Sequence, residues 1–112
     1  MASIDEIWIV DFGEPTPGEP AFERPALVVG PPESFGPSFP FVAVVPLTTV
    51  PRGLSLHVEI EADEQTGVAE PSSAQCELIR SVSRRRLVHR LGRIGPETAH
   101  RVATVLRRFV DL

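Results

Sequence analysis

Arginine and threonine are the side chains of this sequence best suited to chemistry. Arg24 stands directly before Pro25, and Thr48 and Thr49 follow the apolar run that starts at Phe41. A guanidinium stays protonated and grips phosphate through parallel hydrogen bonds, while a hydroxyl can donate to the same anion. If the strand ending at Thr48 lies beside the strand that follows Arg24, these groups would meet at an anion-binding site.

Both features also have simpler interpretations. Thr48 and Thr49 fit an ordinary strand end, and Arg24 would then pair with the nearby Glu19 or Glu23. An exposed ion pair of that kind contributes only about 0–1 kcal/mol. The local sequence leaves both interpretations open.

Other catalytic groups are sparse. His57, His89 and His100 are scattered without the spacing of metal ligands, and each is predicted to lie on a solvent-facing surface. The single cysteine, Cys76, is predicted to be a small buried hydrophobe, and nothing places it next to a histidine. No glycine-rich phosphate loop precedes a helix. We therefore expect no metal and no cofactor.

Charge is distributed unevenly along the chain. The net charge is −4, but residues 1–79 carry −11 and residues 80–112 carry +7. The basic part contains the run Arg84, Arg85 and Arg86. Such asymmetry indicates an anionic partner for the C-terminal part, although a run of this kind is also typical of a solvated turn.

Length and composition predict one domain over residues 1–112. Mean hydropathy is +0.04, and no stretch approaches the roughly 18 apolar residues of a membrane span. The first residues lack a basic segment followed by an apolar core, so we expect no secretory signal and a cytoplasmic location.

The pattern of apolar residues predicts short strands followed by one helix. The predicted strands are Ile7–Phe12, Ala26–Val29, Phe41–Leu47, Leu54–Ile60, Ala74–Ile79 and, less regularly, Leu87–Ile94. Pro/Gly-rich loops occupy 13–24 and 30–40, and residues 50–53 are predicted to form a turn. Pro96 opens a helix whose apolar stripe is Ala99, Val102, Ala103, Leu106, Phe109 and Val110. The predicted fold is mainly β with a C-terminal helix, in a small antiparallel sheet or barrel.

Seven short motifs follow one another over nearly the whole chain: Ile7-Trp8-Ile9-Val10-Asp11-Phe12, Arg24-Pro25-Ala26-Leu27-Val28-Val29, Val44-Val45-Pro46-Leu47-Thr48-Thr49, His57-Val58-Glu59-Ile60, Glu77-Leu78-Ile79-Arg80-Ser81-Val82, Arg86-Leu87 and Leu91-Gly92-Arg93-Ile94. In the order of these motifs the chain resembles the MazF/PemK toxin family. Each motif alone is weak, but their order and spacing together are fairly specific.

The resemblance implies a CcdB/MazF-like barrel related to SH3-like folds, working as a homodimer. It implies the toxin of a type II toxin–antitoxin system, a metal-independent endoribonuclease that cuts single-stranded RNA through the RNA's own 2′-hydroxyl. Arg24 and Thr48 match the catalytic residues of the family, and Glu77 and Arg80 match residues that contact RNA. The family also implies an antitoxin whose acidic, disordered tail covers the RNA groove.

Further RNA contacts are predicted from the chain itself. Splayed bases are expected to stack on Phe22, Phe35 or Phe39 in the two Pro/Gly-rich loops, because single-stranded RNA is commonly held on aromatic side chains. The predicted backbone contacts are Arg84, Arg85 and Arg86, with Thr49 as a supporting neighbour of Thr48.

The chain departs from the family pattern in ways that keep two alternatives open. Its first loop carries three acids (Glu14, Glu19 and Glu23), Gly30-Pro31-Pro32 replaces a usually polar segment, and Leu78 replaces a frequent glutamine. One alternative is a non-enzymatic toxin of the same fold that binds a protein such as DNA gyrase through Arg107 and Arg108. The other is a catalytically decayed family member.

Overall fold

The computed structural model describes residues 2–50 and 52–112. Within them the chain forms seven strands and one α-helix. The strands are β1 (Glu6–Asp11), β2 (Glu23–Gly30), β3 (Phe41–Thr48), β4 (His57–Ile60), β5 (Ser72–Gln75), β6 (Arg80–Ser83) and β7 (Leu87–Arg93), and the helix is α1 (Pro96–Phe109). Short 3₁₀ turns span Glu33–Phe35, Cys76–Leu78 and Arg84–Arg86.

All strand pairs are antiparallel, and β3 is the central strand. The order across the sheet is β4-β5-β3-β2-β1-β7. One edge of β3 pairs with β2, while its other edge pairs first with β6, over Phe41–Val44, and then with β5, over Leu47–Thr48. The predicted class, mainly β with a C-terminal helix, is confirmed. Among the described residues β4 and β7 do not pair with each other, so the barrel is incomplete.

The middle of β3 is buried on both faces, as its β-branched sequence predicts. Val44 and Val45 are both fully buried although successive side chains point to opposite faces of a strand. Val45 joins a core cluster with Leu27 and Val102 of α1, whereas Val44 joins a second cluster with Val10 and Val82. The strand is therefore held from two sides, which fixes the direction of Thr48 at its end.

Three strand predictions need correction. The strand predicted over Leu54–Ile60 begins only at His57, because only 57–60 find partners on β5. The strand predicted over Ala74–Ile79 is two strands, since a 3₁₀ turn at Cys76–Leu78 moves the chain along β3 from one half to the other. The strand predicted at Ala26 begins at Glu23, so Arg24 lies inside β2. The predicted turn at 50–53 includes Pro51, which lies outside the described residues.

Helix α1 begins as predicted, with Gly95 as N-cap and Pro96 in the first turn. Val102 is buried, and Ala99 and Leu106 pack against the core cluster around it. The predicted stripe is wrong at its C-terminal end, because the last turn extends past the packed surface and leaves Phe109 45% exposed. Among the described residues no helix is long and apolar enough to cross a membrane.

The loop at residues 61–71 is tied closely to β7. Thr66 is 5% exposed, and its hydroxyl donates to the Glu61 carbonyl at 2.7 Å. Gly67 has a φ of +71°, and a Cβ placed there would lie 2.1 Å from the Leu91 carbonyl oxygen. A Cβ on Gly92 would lie 2.2 Å from the Gln65 carbonyl oxygen. Only glycines permit this approach of two backbones.

Replacing Glu6 with glutamine is expected to make the fold less stable at neutral pH. Burial raises the pKa of Glu6, but the donors Ser3 N, Trp8 Nε1 and Arg90 Nε (2.8, 3.1 and 2.8 Å) together lower the pKa below its usual value. We expect Glu6→Gln to reduce the free energy of unfolding by about 1–2 kcal/mol, because hydrogen bonds to a charged acceptor are lost.

The pH dependence of that loss follows from the lowered pKa. The stabilisation is complete above the unfolded-state pKa of about 4.3 and disappears as pH falls through the lower folded-state pKa. Urea unfolding of wild type and Glu6→Gln between about pH 7 and pH 2 measures this pH dependence of the stability difference. The exposed Glu70→Gln serves as control, and a difference between wild type and Glu6→Gln that stays constant down to the lowest pH would contradict the prediction.

Candidate functional site

The structure brings Arg24 and Thr48 together at the ends of two paired strands. In the register between β2 and β3, Ala26 lies opposite Pro46. Continued by two residues, that register sets Arg24 opposite Thr48. The Nη2 of Arg24 donates to the carbonyl oxygen of Leu47 at 2.8 Å, so its guanidinium lies one peptide unit from Thr48.

Arg24 is a partly buried cation with donors to spare. Burial lowers its pKa, yet an arginine remains charged. Among the described residues it forms no ion pair with Glu19 or Glu23, so the simpler interpretation of Arg24 is wrong. Among the described residues, the Nε and Nη1 atoms of Arg24 have no hydrogen-bond partner. A guanidinium held by one nitrogen and free at two others is suited to bind an anion.

Thr48 is oriented by its own turn. Its Oγ1 accepts a hydrogen bond from the backbone N–H of Val50 at 3.2 Å. The hydroxyl hydrogen is therefore left to donate to a ligand. Thr48 is half-buried, whereas the neighbouring Thr49 is exposed.

Thr48 also belongs to a row of polar residues that crosses three strands. In register, Thr48 of β3 lies opposite Ser73 of β5, which lies opposite Glu59 of β4. Directly opposed residues share a face of the sheet. A cleft of about 600 Å³ opens along this row, lined by Thr48, Thr49, Glu59, Ile60, Glu61, Ala62, Pro71, Ser72 and Ser73.

Gln75 is a site residue that sequence reasoning missed. Its side chain is 6% exposed, and its Oε1 lies 3.5 Å from Nη2 of Arg24, at the limit of a hydrogen bond. The sequence did contain one indication of this role. Gln75 is an amide between two small apolar residues, Ala74 and Cys76, in a predicted strand. A buried amide needs a partner, and here that partner is Arg24.

His57 and Glu77 form a largely buried pair. His57 Nε2 and Glu77 Oε2 are 2.8 Å apart, and the His57 side chain is only 5% exposed. The prediction of a solvent-facing His57 is therefore wrong, because the turn after Gln75, its partner in register, carries Glu77 over it. His89 and His100 are exposed, as predicted. The predicted contact of Glu77 with RNA stays a prediction.

Cys76 is fully buried next to this pair, as predicted for a small hydrophobe. Burial, assisted by the charge of Glu77, raises the pKa of the Cys76 thiol to about 11. A thiol that is protonated and inaccessible is a poor nucleophile. Among the described residues no group of three or more His, Cys, Asp or Glu side chains is arranged to hold a metal ion.

The predicted RNA-binding arginines have different surroundings. Arg80 lies over the ring of Phe12 at 5.6 Å, and Arg86 Nη1 donates to the Asp11 carbonyl at 3.1 Å, so both reach the end of β1. Arg84 instead donates to the carbonyl of Phe39. Arg85 is exposed, and its guanidinium has no partner in the described part of the chain. The run is therefore not one solvated turn, since Arg84 binds the backbone of the loop before β3 and Arg86 binds the backbone at the end of β1.

Phe22 is held in a strained conformation near Arg24. Its φ is +56°, which a bulky residue rarely adopts, and its side chain is 63% exposed. Its backbone closes the first loop, because Phe22 N donates to the Gly13 carbonyl at 2.7 Å and Phe12 N donates to the Phe22 carbonyl at 2.8 Å. The backbone that carries this exposed aromatic ring is thus fixed two residues from Arg24.

This sheet and helix define the fold of the MazF toxins. MazF from Deinococcus radiodurans superposes with a TM-score of 0.84 at 20% identity, covering 99% of this chain and 97% of that one. The Mycobacterium tuberculosis toxin MazF-mt6 gives 0.78 at 24% identity, covering 96% and 97%. An endoribonuclease from Mycobacterial species, solved in complex with its cognate antitoxin, gives 0.80 at 19% identity, covering 100% and 97%.

The family follows from the sequence match. Residues 5–110 match the model of the PemK-like, MazF-like toxins of type II toxin–antitoxin systems. The chain belongs to this family and is a MazF-like toxin.

Proposed function

We propose that this toxin is an endoribonuclease that cuts single-stranded RNA without a metal ion. The observation that carries the proposal is the Arg24 guanidinium bound to the Leu47 carbonyl, one peptide unit from the Thr48 hydroxyl. The fold supports it, since one solved structure of the same fold is an endoribonuclease. The proposed substrate lies with its scissile phosphate between Arg24 and Thr48.

The proposed reaction needs no nucleophile from the protein. The 2′-oxygen of the RNA attacks the adjacent phosphorus, its proton passes to solvent, and the bond from phosphorus to the 5′-oxygen breaks. The departing 5′-oxygen takes up a proton, leaving a 2′,3′-cyclic phosphate and a 5′-hydroxyl. Negative charge grows on the phosphoryl oxygens during attack, and the free donors of Arg24 and the Thr48 hydroxyl would stabilise it.

Mapped cleavage of a pool of single-stranded RNAs in EDTA tests the proposal. We expect wild-type protein to cut, and Thr48→Val, which keeps the shape but lacks the hydroxyl, to be slower by about 10²–10³. Thr48→Ser restores the hydroxyl and should recover much of the rate. Thr104→Val, on helix α1 and outside the cleft, is the matched control and should stay close to wild type. Uncut RNA, or equal rates for Thr48→Val and Thr104→Val, would rule out the proposed role of Thr48.

The other residues predicted to contact RNA differ in how available their side chains are. Arg80 and Arg86 lie by the end of β1, which pairs with β2 next to Arg24, and Arg85 is free to contact a phosphate. Arg84 and Glu77 are occupied by protein groups, so RNA would have to compete for them. We propose Phe22, Arg80, Arg85 and Arg86 as the main contacts, with Thr49 at the edge.

Replacing Phe22 is expected to weaken RNA binding and to relieve strain. Phe22→Gly removes a stacking surface, for which loss of one base contact costs about 1–3 kcal/mol. The same change lets the backbone adopt its positive φ freely and should raise the free energy of unfolding slightly. Fluorescence anisotropy with a 2′-O-methyl RNA and urea unfolding measure the two effects. Phe109→Ala, which removes an exposed aromatic side chain on α1, is the control, and equal RNA affinity of Phe22→Gly and wild type would contradict the stacking role.

We also propose the partners that the solved relatives suggest. MazF of Deinococcus radiodurans has been solved with MazE, and the proposed antitoxin of this chain would lay an acidic, disordered tail across the RNA groove in the cytoplasm. A homodimer is proposed because several large apolar side chains are exposed on the single chain: Ile4, Phe35, Phe41, Leu54, Val88, Phe109 and Leu112. Light scattering of the purified toxin tests the dimer.

The exposed end of α1 favours a second candidate function, a toxin that binds a protein target such as DNA gyrase. Arg107, Arg108 and Phe109 are all exposed there. This candidate predicts intact RNA and retention of a gyrase subunit in a pull-down, lost on replacing Arg107 and Arg108. A folded protein that binds antitoxin but neither cuts RNA nor retains gyrase would be a decayed family member.

A further inference from the structure

The sheet surface around Thr48 has a sharp charge difference between its two sides. Arg24 approaches Thr48 from β2, whereas Ser73 and then Glu59 follow on the opposite side. Strands are spaced by about 4.8 Å, so the backbones of Arg24 and Glu59 are separated by about 14 Å across the sheet, and the hydroxyl residues Thr48 and Ser73 lie between them. Glu59 is exposed and has no ion-pair partner among the described residues.

The two ends of this row of residues differ in how well they can bind a phosphate. A phosphate near Glu59 would be repelled by the carboxylate, while a phosphate near Arg24 would be attracted. A nucleotide whose phosphate lies at Arg24 and Thr48 would therefore extend its base into the cleft along Ser73 and Glu59. That cleft is walled by the loop 61–71, which is tied to β7 through Gly67.

Building on the endoribonuclease function proposed above, we propose that Glu59 selects a base carrying an exocyclic amino group beside the scissile phosphate. A carboxylate is an acceptor only, so it binds an amino group such as N4 of cytosine. Uracil presents an oxygen at the same position, which the carboxylate repels. The hydroxyl of Ser73 can donate to a ring nitrogen or carbonyl of the bound base. Glu59 is thus a specificity-determining residue, and Arg24 and Thr48 provide the reaction.

Binding of two homopolymers tests the proposal separately from cleavage. Oligocytidine and oligouridine of equal length, with 2′-O-methyl riboses that lack the attacking hydroxyl, are titrated against the wild-type toxin. We expect oligocytidine to bind about 5- to 150-fold more tightly, the usual discrimination of a good base contact. Glu59→Gln offers both a donor and an acceptor and should reduce that ratio towards one. Glu64→Gln, an exposed glutamate that does not line the cleft, should leave it unchanged.

The possible outcomes separate this inference from the proposed activity. Equal binding of the two homopolymers, tighter binding of oligouridine, or a ratio unaffected by Glu59→Gln would overturn the role of Glu59. None of those results bears on whether all-ribose RNA is cut. Conversely, an absence of cleavage in EDTA would overturn the proposed activity even if Glu59 selects cytosine.

Discussion

Replacing Arg24 with lysine is expected to reduce RNA cleavage by about 10²–10³ although the positive charge is kept. The guanidinium uses Nη2 to hold the Leu47 carbonyl and approach Gln75, and it still has Nε and Nη1 for the phosphate. An ammonium is a single point of charge and cannot make both sets of contacts. The loss should appear mainly in kcat, because the missing donors act most strongly on charge that develops during attack.

Single-turnover cleavage of one mapped RNA measures this effect. Arg101→Lys is the matched control, since Arg101 is an exposed arginine on α1 away from the Leu47 carbonyl. Circular dichroism verifies that the lysine variant is folded. A cleavage rate within a few-fold of wild type for Arg24→Lys would show that charge alone suffices and that the hydrogen bonds of the guanidinium do not matter.

Replacing Gly67 with alanine is expected to be the most destabilising single change in the loop that walls the cleft. The new Cβ would lie 2.1 Å from the Leu91 carbonyl oxygen, and the residue must keep a φ of +71°. Overpacking against backbone commonly costs 1–3 kcal/mol or somewhat more, and the positive φ adds about 1 kcal/mol. A total of about 3 kcal/mol is a large part of the stability of a domain of this size.

Gly18→Ala separates the cost of the steric clash from the cost of the positive φ. Gly18 has a φ of +82°, but no atom lies within 4 Å of the Cβ position. Its alanine variant should lose only the conformational share, about 1 kcal/mol. Urea unfolding of the two variants and wild type measures the difference. Equal destabilisation by Gly67→Ala and Gly18→Ala would mean that loop 61–71 can move away from β7 at little cost.

Local sequence patterns predicted the parts of this fold that depend on local burial. The β-branched apolar run Val42–Val45 predicted a buried strand, and Pro96 predicted the start of α1. The end of α1 was mispredicted because the helical spacing of Phe109 and Val110 continues after the surface beneath them has ended. Periodicity describes which residues share a face, but it does not say how far the neighbouring element extends.

The candidate site, too, could be predicted from the sequence only in part. The Arg-Pro motif and the two threonines were visible in the sequence, and the register of β2 against β3 joins them. Gln75 and the buried His57 were not visible, because both depend on a break after Gln75 that divides one apparent strand into β5 and β6. A 3₁₀ turn inside a run of strand-forming residues leaves little trace in the pattern.

The chemistry of Cys76 makes this toxin convenient for single-molecule fluorescence. With its pKa raised to about 11, only about one thiol in 10⁴ is ionised at neutral pH, and the sulfur is also fully buried. A cysteine introduced at Leu112, which is 93% exposed, would react with a maleimide dye while the native thiol stays unlabelled. Each chain of the toxin can therefore carry one dye without removal of its own cysteine, and RNA bearing a second dye would report each encounter by energy transfer.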